Sequence, residues 1–150
     1  MGCSAVEINL TEVKVLQTLF EKAKLSSKEK EQLLINLSVE VESQTLERFD
    51  TKLDPEGNKW KPIADSTRKY LNRYFPNGSL LVRTGMLRDS VEPQLKGDDV
   101  IIIGSAREYA SYIQDGTKKM PARPIFGIGT GDYPALIKIT TDFLSARISE

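Results

Sequence analysis

Pro121 and Pro124 stand three residues apart in REYASYIQDGTKKMPARPIFG, residues 107–127, and they constrain this chain more than any other feature. Neither proline has an N–H for a sheet ladder, and each drives the residue before it, Met120 or Arg123, out of the helical region into extended backbone. A helix cannot run through them. Upstream, Tyr109, Ala110 and Ile113 share one helical face, and Asp115-Gly116 supplies the left-handed ending that glycine adopts at low cost. The pattern predicts a short helix ending near Gln114. An extended edge strand over 121–127 should follow, holding Arg123 out at a fixed angle.

Helical spacing dominates the N-terminal part. Val13, Leu16, Leu19, Phe20 and Ala23 recur at three and four residues, which predicts a helix of about 12 residues from Thr11. Ser26 and Glu29 have the form of a capping box, and Leu33, Leu34, Leu37, Val41 and Phe49 continue one apolar stripe, so a longer helix should run from Lys28 to near Arg48. Asp54-Pro55-Glu56-Gly57-Asn58 is then a turn-rich loop anchored by Trp60, which reads as a plug in the core, a subunit contact being the other reading.

Asp65 to Phe75 predicts a third helix with Tyr70, Leu71, Tyr74 and Phe75 toward the core and Arg68, Lys69, Asn72 and Arg73 toward water. Thr84-Gly85 reads as a turn placing Leu87 inward. Val91–Lys96 and Val100–Gly104 flank Gly97-Asp98-Asp99 as a β-hairpin. A last helix from Asp132 carries Pro134 in its tolerated first turn and Leu136, Ile137, Phe143, Leu144 and Ile148 inward. These elements predict an α+β fold: a small, mainly antiparallel sheet covered by N-terminal helices and a C-terminal helix, in one domain over residues 1–150.

The chain contains no histidine, so it lacks the usual general base near neutral pH, every Ser-His or Cys-His nucleophile and the commonest transition-metal ligand. Asp54 with Glu56, and Asp98 with Asp99, are carboxylate pairs among turn residues, where a turn-forming role is the default. Asp54 to Lys59 also lacks the alternating ligands of a calcium loop. GIGTGD, 127–132, sits where a phosphate-binding loop could lie, yet Asp132 stands where a dinucleotide fingerprint requires glycine or alanine. The run reads as a flexible hinge. No catalytic, cofactor or metal site is expected.

Cys3 stands alone, which rules out an intramolecular disulfide. MGCS lacks the Ser or Thr that myristoylation wants, Val6 being there instead, and Gly2-Cys3 reads as a flexible terminus. Neither a secretory signal nor a run of ~18 apolar residues is present, so no membrane association is expected. Charge sums to zero but unevenly: residues 1–50 carry 6 basic and 9 acidic groups, 51–90 carry 8 and 4, and 91–150 carry 7 and 8. The basic middle third could meet nucleic acid, with Lys59, Lys61, Arg68, Lys69 and Arg73 interleaved with Trp60, Tyr70 and Tyr74, or it could be neutralised internally. Helical spacing sends the tyrosines inward, which weighs against the nucleic-acid alternative.

Taken in order, Phe49, Asp54, Gly57 and Trp60, then Leu81, Thr84, Gly85 and Leu87, then Tyr109, Ala110, Gln114 and Gly116, and last Met120, Pro121, Arg123 and Pro124 are similar to the recurring motifs of the phage virion morphogenesis, or tail completion, family of Mu-like phages. The resemblance spans residues 40–128. It implies a non-enzymatic virion protein acting where tail meets head, made in the host cytoplasm. Its expected partners are tail and head-tail connector proteins and further copies of itself, as a homo-oligomer or ring. On this reading Trp60, Gly57, Thr84, Gly85, Tyr109, Gly116, Pro121 and Pro124 hold the structural motif, and Arg123, Met120, Lys118, Lys119 and Gln114 form a candidate interface. For Arg123, an ion pair within its own subunit is the competing reading.

Overall fold

The computed structural model describes residues 4–9, 22–77, 81–82, 85–97 and 100–148. The helix expected from Thr11 falls outside them, apart from its end, as do Thr84, Asp98 and Asp99. The backbone follows the order β1 (Ser4–Asn9), α1 (Ser27–Thr51), α2 (Asp65–Tyr74), α3 (Met86–Asp89), β2 (Val91–Lys96), β3 (Val100–Ser105), α4 (Tyr109–Asp115) and α5 (Tyr133–Ile148). The fold is a small α+β one.

The sheet has strand order β1-β3-β2, antiparallel throughout. The expected hairpin forms, pairing Val91 with Ser105 through Lys96 with Val100, and Gly97 takes a positive φ of 67° at its turn. Pro93, which cannot donate to a ladder, lies on the edge strand β2. At the other edge β1 pairs Ser4 with Ser105 through Asn9 with Val100, adding a strand within a stretch where no element was expected. Central β3 is VIIIGS, and Ile101 and Ile103 are fully buried.

Helix α1 starts where the capping box places it: the Ser26 N–H donates to Glu29 Oε2 at 2.8 Å and the Glu29 N–H donates to Ser26 Oγ at 3.3 Å. The Ser26 bonds hold the Glu29 carboxyl below its ordinary pKa. Leu33, Leu34, Leu37, Val41, Thr45 and Phe49 form the buried stripe, packing on β2, β3 and α5. Lys52 ends the helix in left-handed conformation, its N–H bonded to Arg48 O. At the far end Arg147 of α5 donates to Glu29 Oε1 and to Ala23 O, tying the last helix to the start of α1. Leu136 and Thr140 are fully buried on α5, with Ile137, Phe143 and Leu144 packed at the margin of the core. The side chain of Ile148 lies outside the described residues.

Three expectations are corrected. Residues 121–127 form no strand, because the backbone groups there are taken up by side chains and by the carbonyl of Ile113, as set out below. Helix α2 buries no residue: Tyr70 and Tyr74 face water, and Leu71 and Phe75 are half-buried. The helix lies outside the core.

The third correction concerns 127–132, which is a pinned turn and not a loose hinge. Its Gly129 N–H donates to Asp132 Oδ2 at 2.8 Å, and the Asp132 N–H returns a bond to Gly129 O at 3.0 Å. A Cβ on Gly129 would lie 1.5 Å from the carbonyl oxygen of Pro55, whereas a Cβ on Gly131 would meet nothing within 4 Å. Gly129→Ala should therefore destabilise the fold by at least about 2 kcal/mol, as for overpacking against a backbone that cannot yield. Gly131→Ala should stay within about 0.5 kcal/mol. Thermal or denaturant melts of the two variants check the contrast; equal stabilities would mean that the turn does not sit against Pro55.

Candidate functional site

Three of the motif residues, Trp60, Gln114 and Arg123, converge on one buried stretch of backbone, Arg123 to Phe126. A buried peptide group must find a hydrogen-bond partner, and here no ladder supplies one. The Arg123 N–H donates to Ile113 O of α4 at 2.7 Å. Gln114, the next residue on that helix, places its carboxamide alongside: Oε1 accepts the N–H groups of Ile125 at 2.8 Å and Phe126 at 3.0 Å, and Nε2 donates to Phe126 O at 3.1 Å. One side chain thus replaces a neighbouring strand. Pro124 has no N–H to satisfy, and its carbonyl accepts the Trp60 indole N–H at 2.7 Å. The Ile125 carbonyl accepts Arg48 Nη1 at 2.7 Å.

Each partner is positioned by its own local sequence. Trp60 is buried as a plug, edge-on to Phe49 with ring centroids 6.0 Å apart. The loop before it closes on itself: the Asp54 N–H donates to Asn58 O, Asp54 Oδ1 accepts the Asn58 N–H at 2.8 Å, and Gly57 takes φ 86°. Asp54 is therefore a turn former, and Glu56 beside it is exposed. Gly116 must be glycine, since φ is 76° and a Cβ would lie 2.6 Å from Ala122 N. The chain turns over Thr117–Met120, whose end residues bond each other's backbone, and comes back along α4.

Arg123 lies at the centre of this cluster. It is 4% exposed, and its guanidinium donates to Lys61 O at 2.7 Å and Pro62 O at 3.0 Å. The expectation of an arginine held out on a sheet edge is thereby corrected, and the internal partner is a pair of carbonyls in place of an acid. Burial lowers its pKa from the ordinary arginine value. Gln114 is likewise turned inward, and Met120 packs on the core. Of the candidate interface residues, Lys118 and Lys119 are the exposed ones. Tyr109 is also exposed at 43%, contrary to the face expected for it, while Ala110 and Ile113 are buried. Gly85 has φ 81° ahead of α3 and Leu87 is buried, as the turn reading requires.

Sequence reasoning passed over Arg48 and Asp132 as a pair. Arg48 Nη2 meets Asp132 Oδ2 at 2.6 Å in a largely buried ion pair, and Gln44 Nε2 donates to Asp132 O at 3.2 Å. Burial pushes the Arg48 pKa down and the Asp132 charge opposes that shift. The available signal was an arginine at a core position of an amphipathic stripe, where a buried charge demands a partner. Above the pair an open groove of about 350 Å³ lies between Leu53–Gly57 and Thr130–Asp132. Of the four carboxylates that line it, Asp54 and Asp132 are bonded within the chain, and Glu47 and Glu56 are exposed. Among the described residues no three histidine, cysteine or carboxylate side chains are grouped as metal ligands.

Comparison with known proteins places this architecture. The model of the phage virion morphogenesis family matches residues 11–145, so the chain belongs to that family and its role is in phage virion morphogenesis. It is also 37% identical over 104 residues to Mu-like prophage FluMu G protein 1 of Haemophilus influenzae, covering 68% of this chain and 70% of that protein. No solved structure matches.

Trp60→Ala should cost roughly 3–5 kcal/mol, as for removal of a buried large aromatic. Arg123→Ala should cost about 2–3 kcal/mol, because two carbonyls lose a charged donor inside the protein. Chemical denaturation measures both. An Arg123→Ala cost below about 0.5 kcal/mol, the range of an ordinary surface change, would return Arg123 to the surface.

Proposed function

We propose that this chain is a non-enzymatic tail-completion component that readies the phage tail to join a filled head, several copies acting together with tail and head-tail connector proteins. The observation that carries this reading is where the buried polar groups of the motif, and of the Arg48–Asp132 pair beside it, go. Arg48, Trp60, Gln114, Arg123 and Asp132 all bond to backbone or to one another, so their chemistry fixes a shape. What that shape presents is the Lys118-Lys119 turn and the outer surface of α2. Exposed cations on a braced turn suit contact with an acidic protein partner, because little backbone freedom remains to be lost on binding.

A second reading draws on the exposure of Tyr70 and Tyr74 beside Arg73, since aromatic rings among cations can stack on a single nucleic-acid strand. A neutral chain with one modestly basic region is weakly equipped for that task.

Deletion of the gene from its phage should leave separate filled heads and separate tails, visible by electron microscopy, and the wild-type gene in trans should restore joined particles. A Lys118→Glu, Lys119→Glu variant should fold normally yet restore infectious particles at least about tenfold less well, as for loss of an interface anchor. Joined virions in the deletion, or empty heads, would contradict the reading.

A further inference from the structure

Two helices turn apolar ridges of the same length to water. On α2, Tyr70 and Tyr74 stand one turn apart and are 51% and 57% exposed, their rings 4.8 Å apart. The Arg73 guanidinium lies 5.7 Å from the Tyr74 ring centroid, within cation-π range. On α1, Ile35 and Val39 are also one turn apart and are 41% and 61% exposed, on the flank of the buried stripe. Exposed aliphatic and aromatic pairs of this kind mark contact surfaces.

The charges around the two ridges are opposite. Helix α2 carries Arg68, Lys69 and Arg73 against one acid, Asp65, whereas α1 carries six acids against three bases, and Glu31 and Glu42 border Ile35 and Val39 one turn before and after. Ridges made by residues four apart on two helices interdigitate at a crossing angle of about −50°, the commonest helix packing. Both ridges are exposed on the same chain, so they do not meet within it.

We propose that the α2 ridge of one copy docks on the α1 ridge of the next. The contact uses different surfaces on its two sides, so it propagates head to tail and either closes into a ring or runs on as a filament. A second copy fits these observations better than a nucleic acid. Tyr70 and Tyr74 lie against each other, which withdraws ring surface that bases would need. Nothing in phosphate recognition calls for Ile35, Val39 and their acidic border.

The inference rests on the reading that several copies act together, and it is tested on purified full-length protein. Sedimentation or light scattering at micromolar concentrations should show association of the wild type. Val39→Asp and Tyr74→Asp, both at exposed positions, should melt like the wild type and each weaken association at least about tenfold. Mixed together, the two variants should form one-to-one pairs, because each keeps the surface the other has lost. A monomeric wild type, variants that associate normally, or variants that do not pair on mixing would each overturn the proposal. So would a labelled single-stranded oligonucleotide whose binding is lost in Tyr74→Asp while association is unchanged. Such failures leave the deletion phenotype intact, and a deletion phage with joined virions leaves this contact intact, so the two readings fall separately.

Discussion

The structure depends on the carboxamide of Gln114 taking the place of a strand beside Ile125 and Phe126. Two N–H groups and one carbonyl of buried backbone have this one side chain as partner. Without it those groups would be stranded away from water, each at a cost of about 1–3 kcal/mol. The neighbouring Pro124 and Ile125 carbonyls are met by Trp60 and Arg48, so α4, α1 and the segment after α1 are joined through a stretch that belongs to no sheet. Arg123 extends the same arrangement to Lys61 and Pro62 ahead of α2.

This arrangement changes what the family motif means. Residues that look like contact residues on a proline-braced edge are internal struts, and their rigidity is what reaches the surface. The Arg48–Asp132 pair fixes the start of α5 against α1, and Gly116 lets the chain double back on itself. The surfaces available to partners are therefore carried on elements that the struts hold in place, and the most polar motif residues need not touch a partner at all. Such bracing suits the function proposed for this member of the virion morphogenesis family, which is to present a shape.

Local signals were legible in the sequence. The capping box of Ser26 and Glu29, the long apolar stripe of α1, the hairpin around Gly97, the plug at Trp60 and the stop at Gly116 each rest on interactions between near neighbours. Long-range pairing was not legible. Strand β1 joins β3 across more than ninety residues with no adjoining turn to announce it. Helical spacing sends the tyrosines of α2 inward because it identifies a shared face without saying whether anything covers it. Arg123 and the 121–127 segment depart from expectation for one reason: extended, proline-containing backbone suggests a sheet edge, and only the fold reveals that a glutamine amide has replaced the sheet. Asp132 looked like an obstacle to phosphate, and its partner Arg48 lies 84 residues away.

Amide hydrogen exchange at Ile125 and Phe126 tests the central claim most directly. If Gln114 and the surrounding struts bury and bond this backbone, both amides should exchange as slowly as those of β3, through openings near the full unfolding free energy, and should speed up in Gln114→Ala. Fast exchange of both amides in the wild-type protein, comparable with that of the exposed Lys118-Lys119 turn, would contradict the account.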